Sequence, residues 1–161
     1  MGSAPSSLPE IAIKRGLPGP GITRISVSGF TLSHHTGRAR KLADEIQKAF
    51  PTRFETWYYF TSHNLYRMFL EHLKENEFAP SLAENSPLKG HHTSPIVWLE
   101  TIDPSTGNVQ VRPLGGRDRF CEWALEEFKD SPVIHELAST SPGLGDAWVD
   151  ETPGSSQISH A

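Results

Sequence analysis

The sequence predicts an α/β fold, a four-stranded mixed sheet flanked by helices, with an extended tail at each end. Three observations predict it. Apolar alternations that read as strands are interleaved with stretches of helical periodicity, in the order strand, helix, strand, helix, strand, strand, helix. The last two strands are separated only by a turn, Asp103 to Asn108, with Pro104 and Gly107 in it, so they pair as a hairpin. The two ends, residues 1–21 and 138–161, are dominated by Gly, Pro, Ser and Thr and carry no periodicity.

Each element has its own signal. Ile25 and Val27 alternate with Arg24, Ser26 and Ser28, the pattern of a half-buried strand. From Gly37, the residues Ala39, Leu42, Ala43, Ile46, Ala49 and Phe50 recur at helical spacing among charged residues, and Pro51 ends the run. Phe54 to Phe60 is aromatic enough to be a strand with Trp57, Tyr58 and Tyr59 packed on its two faces. Ser62 is placed to cap a second helix whose apolar face carries Leu65, Met68, Phe69 and Leu73. A polar loop with Pro80, Pro87 and Gly90 follows. Ile96 to Leu99 and Val109 to Val111 form the hairpin, and Gly115-Gly116 leads into a helix with Cys121, Ala124, Leu125 and Phe128 along one side. Two parallel strands joined by a right-handed crossover, then a hairpin, close the four-stranded sheet.

Length and composition narrow the function. One domain, residues 22–137 between the tails, suits a chain of 161 residues. The formal charge is −4 with both signs interspersed, and no basic stripe offers a nucleic-acid surface. The single cysteine, Cys121, cannot form an internal disulfide and fits a reducing compartment. No apolar run reaches the ~20 residues of a membrane span, and no secretory signal is visible, so a cytoplasmic protein without stable membrane insertion is expected. Gly2 through Ser6 fit the spacing for N-myristoylation at Gly2, yet no nearby cysteine or polybasic cluster supplies a second anchor, and a small-residue start is the simpler reading.

Three local motifs, taken in order, resemble glutaredoxins within the thioredoxin superfamily. Thr31-Leu32-Ser33-His34-His35-Thr36, followed by Arg38 and Lys41, stands where that family places Cys-x-x-Cys before a basic helix. Thr93-Ser94-Pro95 is similar to its Thr-x-Pro, whose proline is cis. Gly115-Gly116-Arg117-Asp118 is similar to its Gly-Gly-x-Asp before the last helix. The resemblance covers about residues 23–128 and implies a thioredoxin-like fold of the glutaredoxin type. The stretch Ser94 to Trp98, with the later Gly-Gly-x-x-x-Phe, further resembles the glutaredoxin-like N-terminal domain of cilia-associated malate-dehydrogenase-like proteins. That likeness implies a ciliary or flagellar setting, and it carries over no dehydrogenase activity because the dehydrogenase domain is not in this sequence.

The departures from the family pattern decide the chemistry. Ser33 and Thr36 fill the two cysteine positions, and hydroxyls cannot perform the thiolate attack and resolution that thiol–disulfide exchange requires. Phe30 stands near the position of the family's lysine. The expectation is therefore a domain without redox activity or catalytic residues, with Ser33, His34, His35 and Thr36 as degenerate active-site positions and no cofactor. Such a module would bind other proteins of a larger assembly, an axoneme being the setting the resemblance implies.

Competing readings attach to particular residues. Ser33-His34 has the composition of a nucleophile and base, but neighbours at a helix start diverge and no orienting acid is evident, so helix capping by Ser33 or Thr36 is the better account. His34, His35, His91 and His92 would converge on a metal only if the two loops met squarely, and exposed loop histidines are the simpler expectation. Cys121 lies on an apolar stripe and reads as a buried small hydrophobe. Residual glutathione binding, as a binding protein or a glutathione-dependent transferase or sensor, is the enzyme-adjacent alternative: the resemblance implies that Ser94, Pro95, Gly116, Arg117 and Asp118 would hold the peptide. In the tails, Ile11, Ile13, Leu144 and Trp148 are isolated apolar residues in polar surroundings, the natural anchors for a partner.

Overall fold

The computed structural model describes residues 8–9, 12, 14–78 and 87–140, and the backbone of 152–157. The seven expected elements follow in the expected order, and a helix and a strand that were not expected come after them. They are β1 (Thr23–Phe30), α1 (His34–Ala49), β2 (Phe54–Thr61), α2 (His63–His72), β3 (Ile96–Ile102), β4 (Val109–Gly115), α3 (Arg117–Glu127), α4 (Pro132–Ser139) and β5 (Thr152–Gln157). A π-helical turn, Leu73–Glu77, prolongs α2, and a 3-10 turn spans Pro87–Gly90. The sheet order is β4-β3-β1-β2-β5. β1 runs parallel to β2 and antiparallel to β3, and β4 and β5 are antiparallel to their neighbours. The four-stranded mixed sheet β2-β1-β3-β4 with helices on both faces is consistent with a thioredoxin-like fold.

Two cores form because the sheet is covered on both sides. Ile25, Val27, Val97, Leu99, Tyr58 and Phe60 meet Leu42, Ile46, Phe120, Ala124 and Ile134 from α1, α3 and α4 on one face. On the other, Trp57, Tyr59, Ile96 and Trp98 meet Tyr66, Phe69, Leu70 and Leu73 from α2 and its π-helical extension. Each aliphatic side chain so enclosed contributes about 1.5–3 kcal/mol relative to exposure. Cys121 is 5% exposed in the first core, as its stripe predicts. The buried stripe of α2 is rotated from the expected one: Tyr66 and Leu70 are enclosed together with Phe69, whereas Leu65 and Met68 are only half-buried. Its cap is as expected, with Ser62 Oγ accepting the Leu65 N–H at 3.4 Å.

The polar residues of β1 are not solvated. Arg24, Ser26 and Ser28 are buried, as are Glu55 on β2 and Glu100 on β3. Glu100 gathers this polar layer: its Oε1 accepts from Arg24 Nε at 2.8 Å and from Ser26 Oγ at 3.1 Å. Its Oε2 accepts from Arg15 Nη2 at 2.6 Å, and Arg15 also bonds Glu77 through both terminal nitrogens. The segment before β1 is drawn onto the domain in consequence. Leu8 and Ala12 pack against the second core, the Gly16 carbonyl accepts from Arg24 at 2.8 Å, and Gly19 N–H donates to Glu55 at 2.7 Å.

These contacts differ from the expectation of an extended tail over 1–21, because a buried carboxylate draws the nearest guanidinium to it. At the other end, α4 continues through Ser139, past the expected boundary at 137/138. Within the expected C-terminal tail, Thr152–Gln157 pairs with β2 as a fifth strand. The proposed anchors Ile11, Ile13, Leu144 and Trp148, and the Gly2 site, lie outside the described residues.

Burial pushes the Glu100 carboxyl up, but Arg15 and Arg24 outweigh it and hold its pKa below the ordinary value. A carboxylate with a depressed folded pKa stabilises the fold above its unfolded pKa, about 4.3, and loses that contribution as pH falls through the folded value. Urea titrations should therefore show stability falling as pH drops below about 4.3, and Glu100→Gln should lack that component. Glu100→Ala, which leaves two buried guanidinium groups short of a partner, should cost about 3–5 kcal/mol at pH 7.

Candidate functional site

The end of β1, the start of α1 and the loop before β3 meet at one corner of the sheet. Ser33 is the N-cap of α1, its Oγ accepting the Thr36 N–H at 3.2 Å. Thr36 is fully buried, and its Oγ1 lies 2.7 Å from Ser94 Oγ. Ser94 Oγ in turn accepts the Phe30 N–H at 2.9 Å. The two loops are thus joined hydroxyl to hydroxyl. Gly29 permits this approach: a Cβ there would stand 2.4 Å from Thr36 Oγ1 and 2.6 Å from Ser94 Oγ.

The Ser94–Pro95 peptide is cis, as the motif implies. Its loop is braced from behind. Tyr66 hydroxyl donates to the Thr93 carbonyl at 2.5 Å, and burial raises the Tyr66 pKa so far that the group stays a donor. His91 Nε2 lies 3.2 Å from the Pro95 carbonyl, and Lys74 donates to the His91 carbonyl at 3.0 Å. Burial lowers the His91 pKa, which favours the neutral ring in which Nε2 donates to that carbonyl.

An open groove of about 420 Å³ runs along this corner, lined by His35, Thr93, Ser94, Gly116, Arg117, Asp118 and Arg119. Gly116 is the N-cap of α3 and offers no side-chain bond to its first turn. Arg117 is mostly enclosed, with Nη2 2.6 Å from Asp118 Oδ1, while Asp118 itself is exposed. Behind the loop that carries Ser94, Phe30 stacks on His63 with centroids 4.3 Å apart and meets Tyr66 edge-on at 4.9 Å. Leu32, beside the Ser33 loop, leaves 63% of its surface in solvent.

The sequence-derived residues divide accordingly. Ser94, Gly116, Arg117, Asp118 and His35 share the groove, while Ser33 and Thr36 are spent on the cap and the loop-to-loop bond. His34 and His92 are exposed, and His92 Nδ1 bonds the Gly90 carbonyl at 2.9 Å. Among the described residues no three His, Cys, Asp or Glu side chains gather as a metal site would require, so the four-histidine arrangement is not formed. Burial pushes the Cys121 thiol up, so it is no thiolate. Arg119 is the groove residue that sequence reasoning missed; a third charge directly after Arg117-Asp118, in the first turn of a helix opening on the groove, was its signal.

No family model, curated protein or solved structure matches this chain. No helix among the described residues is long and apolar enough to cross a membrane.

Two substitutions test the hydroxyl junction. Thr36→Val removes one partner of a buried pair at constant shape and should cost about 1–2 kcal/mol in a denaturant titration. Gly29→Ala forces a carbon against two oxygens and should cost about 1–3 kcal/mol.

Proposed function

We propose that this chain is a glutaredoxin-like domain without thiol chemistry that serves as a protein-binding component of a larger assembly. The observation that carries the reading is the use of the two hydroxyls at the glutaredoxin cysteine positions. Ser33 Oγ caps α1 and Thr36 Oγ1 is tied to Ser94, so each does structural service where the family would keep a nucleophile. Leu32, next to the Ser33 cap, leaves 63% of its surface in solvent and is the apolar side chain that a partner seated on this corner would cover. The likeness of Ser94 to Trp98 to the cilia-associated proteins points to an axonemal assembly.

Purified protein should reduce no mixed-disulfide substrate with glutathione above a control without protein. Turnover that disappears on Ser33→Ala would overturn the proposal. Fractionation of cells expressing the protein should place it with the cytoskeletal pool, and Leu32→Asp should shift it to the soluble pool without changing its melting temperature.

A second reading is glutathione binding, favoured by the groove that joins Ser94 to the start of α3. Arg117 and the N-terminal end of α3 would meet a carboxylate, and the strand-end backbone at Ser94 would pair with the peptide. Calorimetric titration separates the two. Glutathione binding that falls at least tenfold in Arg117→Ala would make the groove a small-molecule site, and no heat at millimolar glutathione would leave the protein-binding reading alone.

A further inference from the structure

On the face of the sheet covered by α2, toward the end away from the Ser33 loop, Arg15 enters a slot made by four other side chains. Its guanidinium carbon lies 5.2 Å from the Trp57 ring centroid and 5.1 Å from that of Trp98. Its N–H edge meets two carboxylates, Glu77 through both terminal nitrogens and Glu100 Oε2 at 2.6 Å. Indole faces against the plane and carboxylates against the edge suit a guanidinium and give an ammonium no equivalent fit.

The walls belong to the fold rather than to the segment that fills them. Trp57 on β2 and Trp98 on β3 are both register partners of Ser26 on β1, and across that small residue the two indoles stand with centroids 6.0 Å apart, so that one guanidinium lies over both. Glu100 is held independently by Arg24 and Ser26. Glu77 ends the π-helical turn, a local departure from α-helix of the kind that often marks functional positions. The occupant, by contrast, arrives on a stretch with no regular structure over residues 14–19.

We infer that this slot is an arginine-recognition site, filled in cis by Arg15 and able to take an alkylguanidinium group in trans, presented as an arginine on an extended segment. The site lies apart from the groove at Ser94 and does not depend on the function proposed for it.

Chemical rescue tests the inference in the full chain. Arg15→Ala removes the atoms that N-ethylguanidinium would replace. In that variant, N-ethylguanidinium at low millimolar concentration should raise the melting temperature saturably by about 2–4 °C and shift tryptophan fluorescence with the same midpoint. N-ethylammonium at equal ionic strength should do neither, and wild type should respond to neither. Adding Glu100→Gln to Arg15→Ala should abolish the effect. Equal rescue by the ammonium ion, or no saturable response to either, overturns guanidinium recognition. Should Arg15→Ala fail to fold, it is refolded from urea in N-ethylguanidinium or N-ethylammonium at equal ionic strength. Native tryptophan fluorescence should return with the guanidinium ion alone, and equal recovery with both ions, or recovery with neither, overturns the inference.

Discussion

A carboxylate placed in the middle of a covered sheet face sets the terms for much of this structure. Glu100 is almost wholly enclosed, and a charge there is tolerable only when its oxygens are met by donors of opposite charge. Arg24 and Ser26 answer from β1, but a second guanidinium must come from outside the sheet. That requirement brings the residues before β1 across the domain, and the π-helical turn after α2 puts Glu77 where Arg15 can bond it as well. Replacing such a cluster with well-packed apolar residues often costs nothing, so its main effect is directional. It specifies where an otherwise irregular segment lies.

The corner at Ser33 follows a different logic, in which small polar groups let backbones approach. Gly29 has no side chain, Ser94 and Thr36 have short ones, and the three together bring the ends of β1, α1 and the cis-proline loop into hydrogen-bonding distance. A thiol pair at positions 33 and 36 would need freedom to form, break and reform bonds. Hydroxyls engaged in a cap and a buried pair have none to spare. Rigidity at this corner and the absence of thiols are two sides of one arrangement.

Much of this was legible in the residues. The strand at Ile25 and Val27, the caps at Ser33 and Ser62, the hairpin turn and the motifs at Ser94 and Gly115 all announce themselves through local chemistry, and the groove assembles from the positions those motifs pick out. What stayed hidden depends on which surfaces meet. Alternation of Arg24, Ser26 and Ser28 with apolar residues looks the same whether the polar face meets water or a buried partner. A lone Arg15 among glycines and prolines gives no hint that two tryptophans, 42 and 83 positions away in a count from Arg15 to Trp57 and Trp98, form its slot. The helix Pro132–Ser139 did carry a start signal, a serine N-cap followed by proline at the first helical position, but it is too short to show a periodicity.

The fifth strand bears on how the molecule keeps company in solution. β2 reads Phe-Glu-Thr-Trp-Tyr-Tyr-Phe-Thr, among the most strand-prone stretches in the chain, and without a neighbour its outer edge would present a row of unpaired N–H and C=O groups to any similar strand. Thr152–Gln157 pairs with that edge instead. Its own sequence, Thr-Pro-Gly-Ser-Ser-Gln, is a poor strand former, with a proline that can donate no ladder hydrogen bond. A strand of that composition closes the sheet without offering a good template for the next one. The chain thereby shields its stickiest backbone from self-association with a segment that is itself a poor template for another copy.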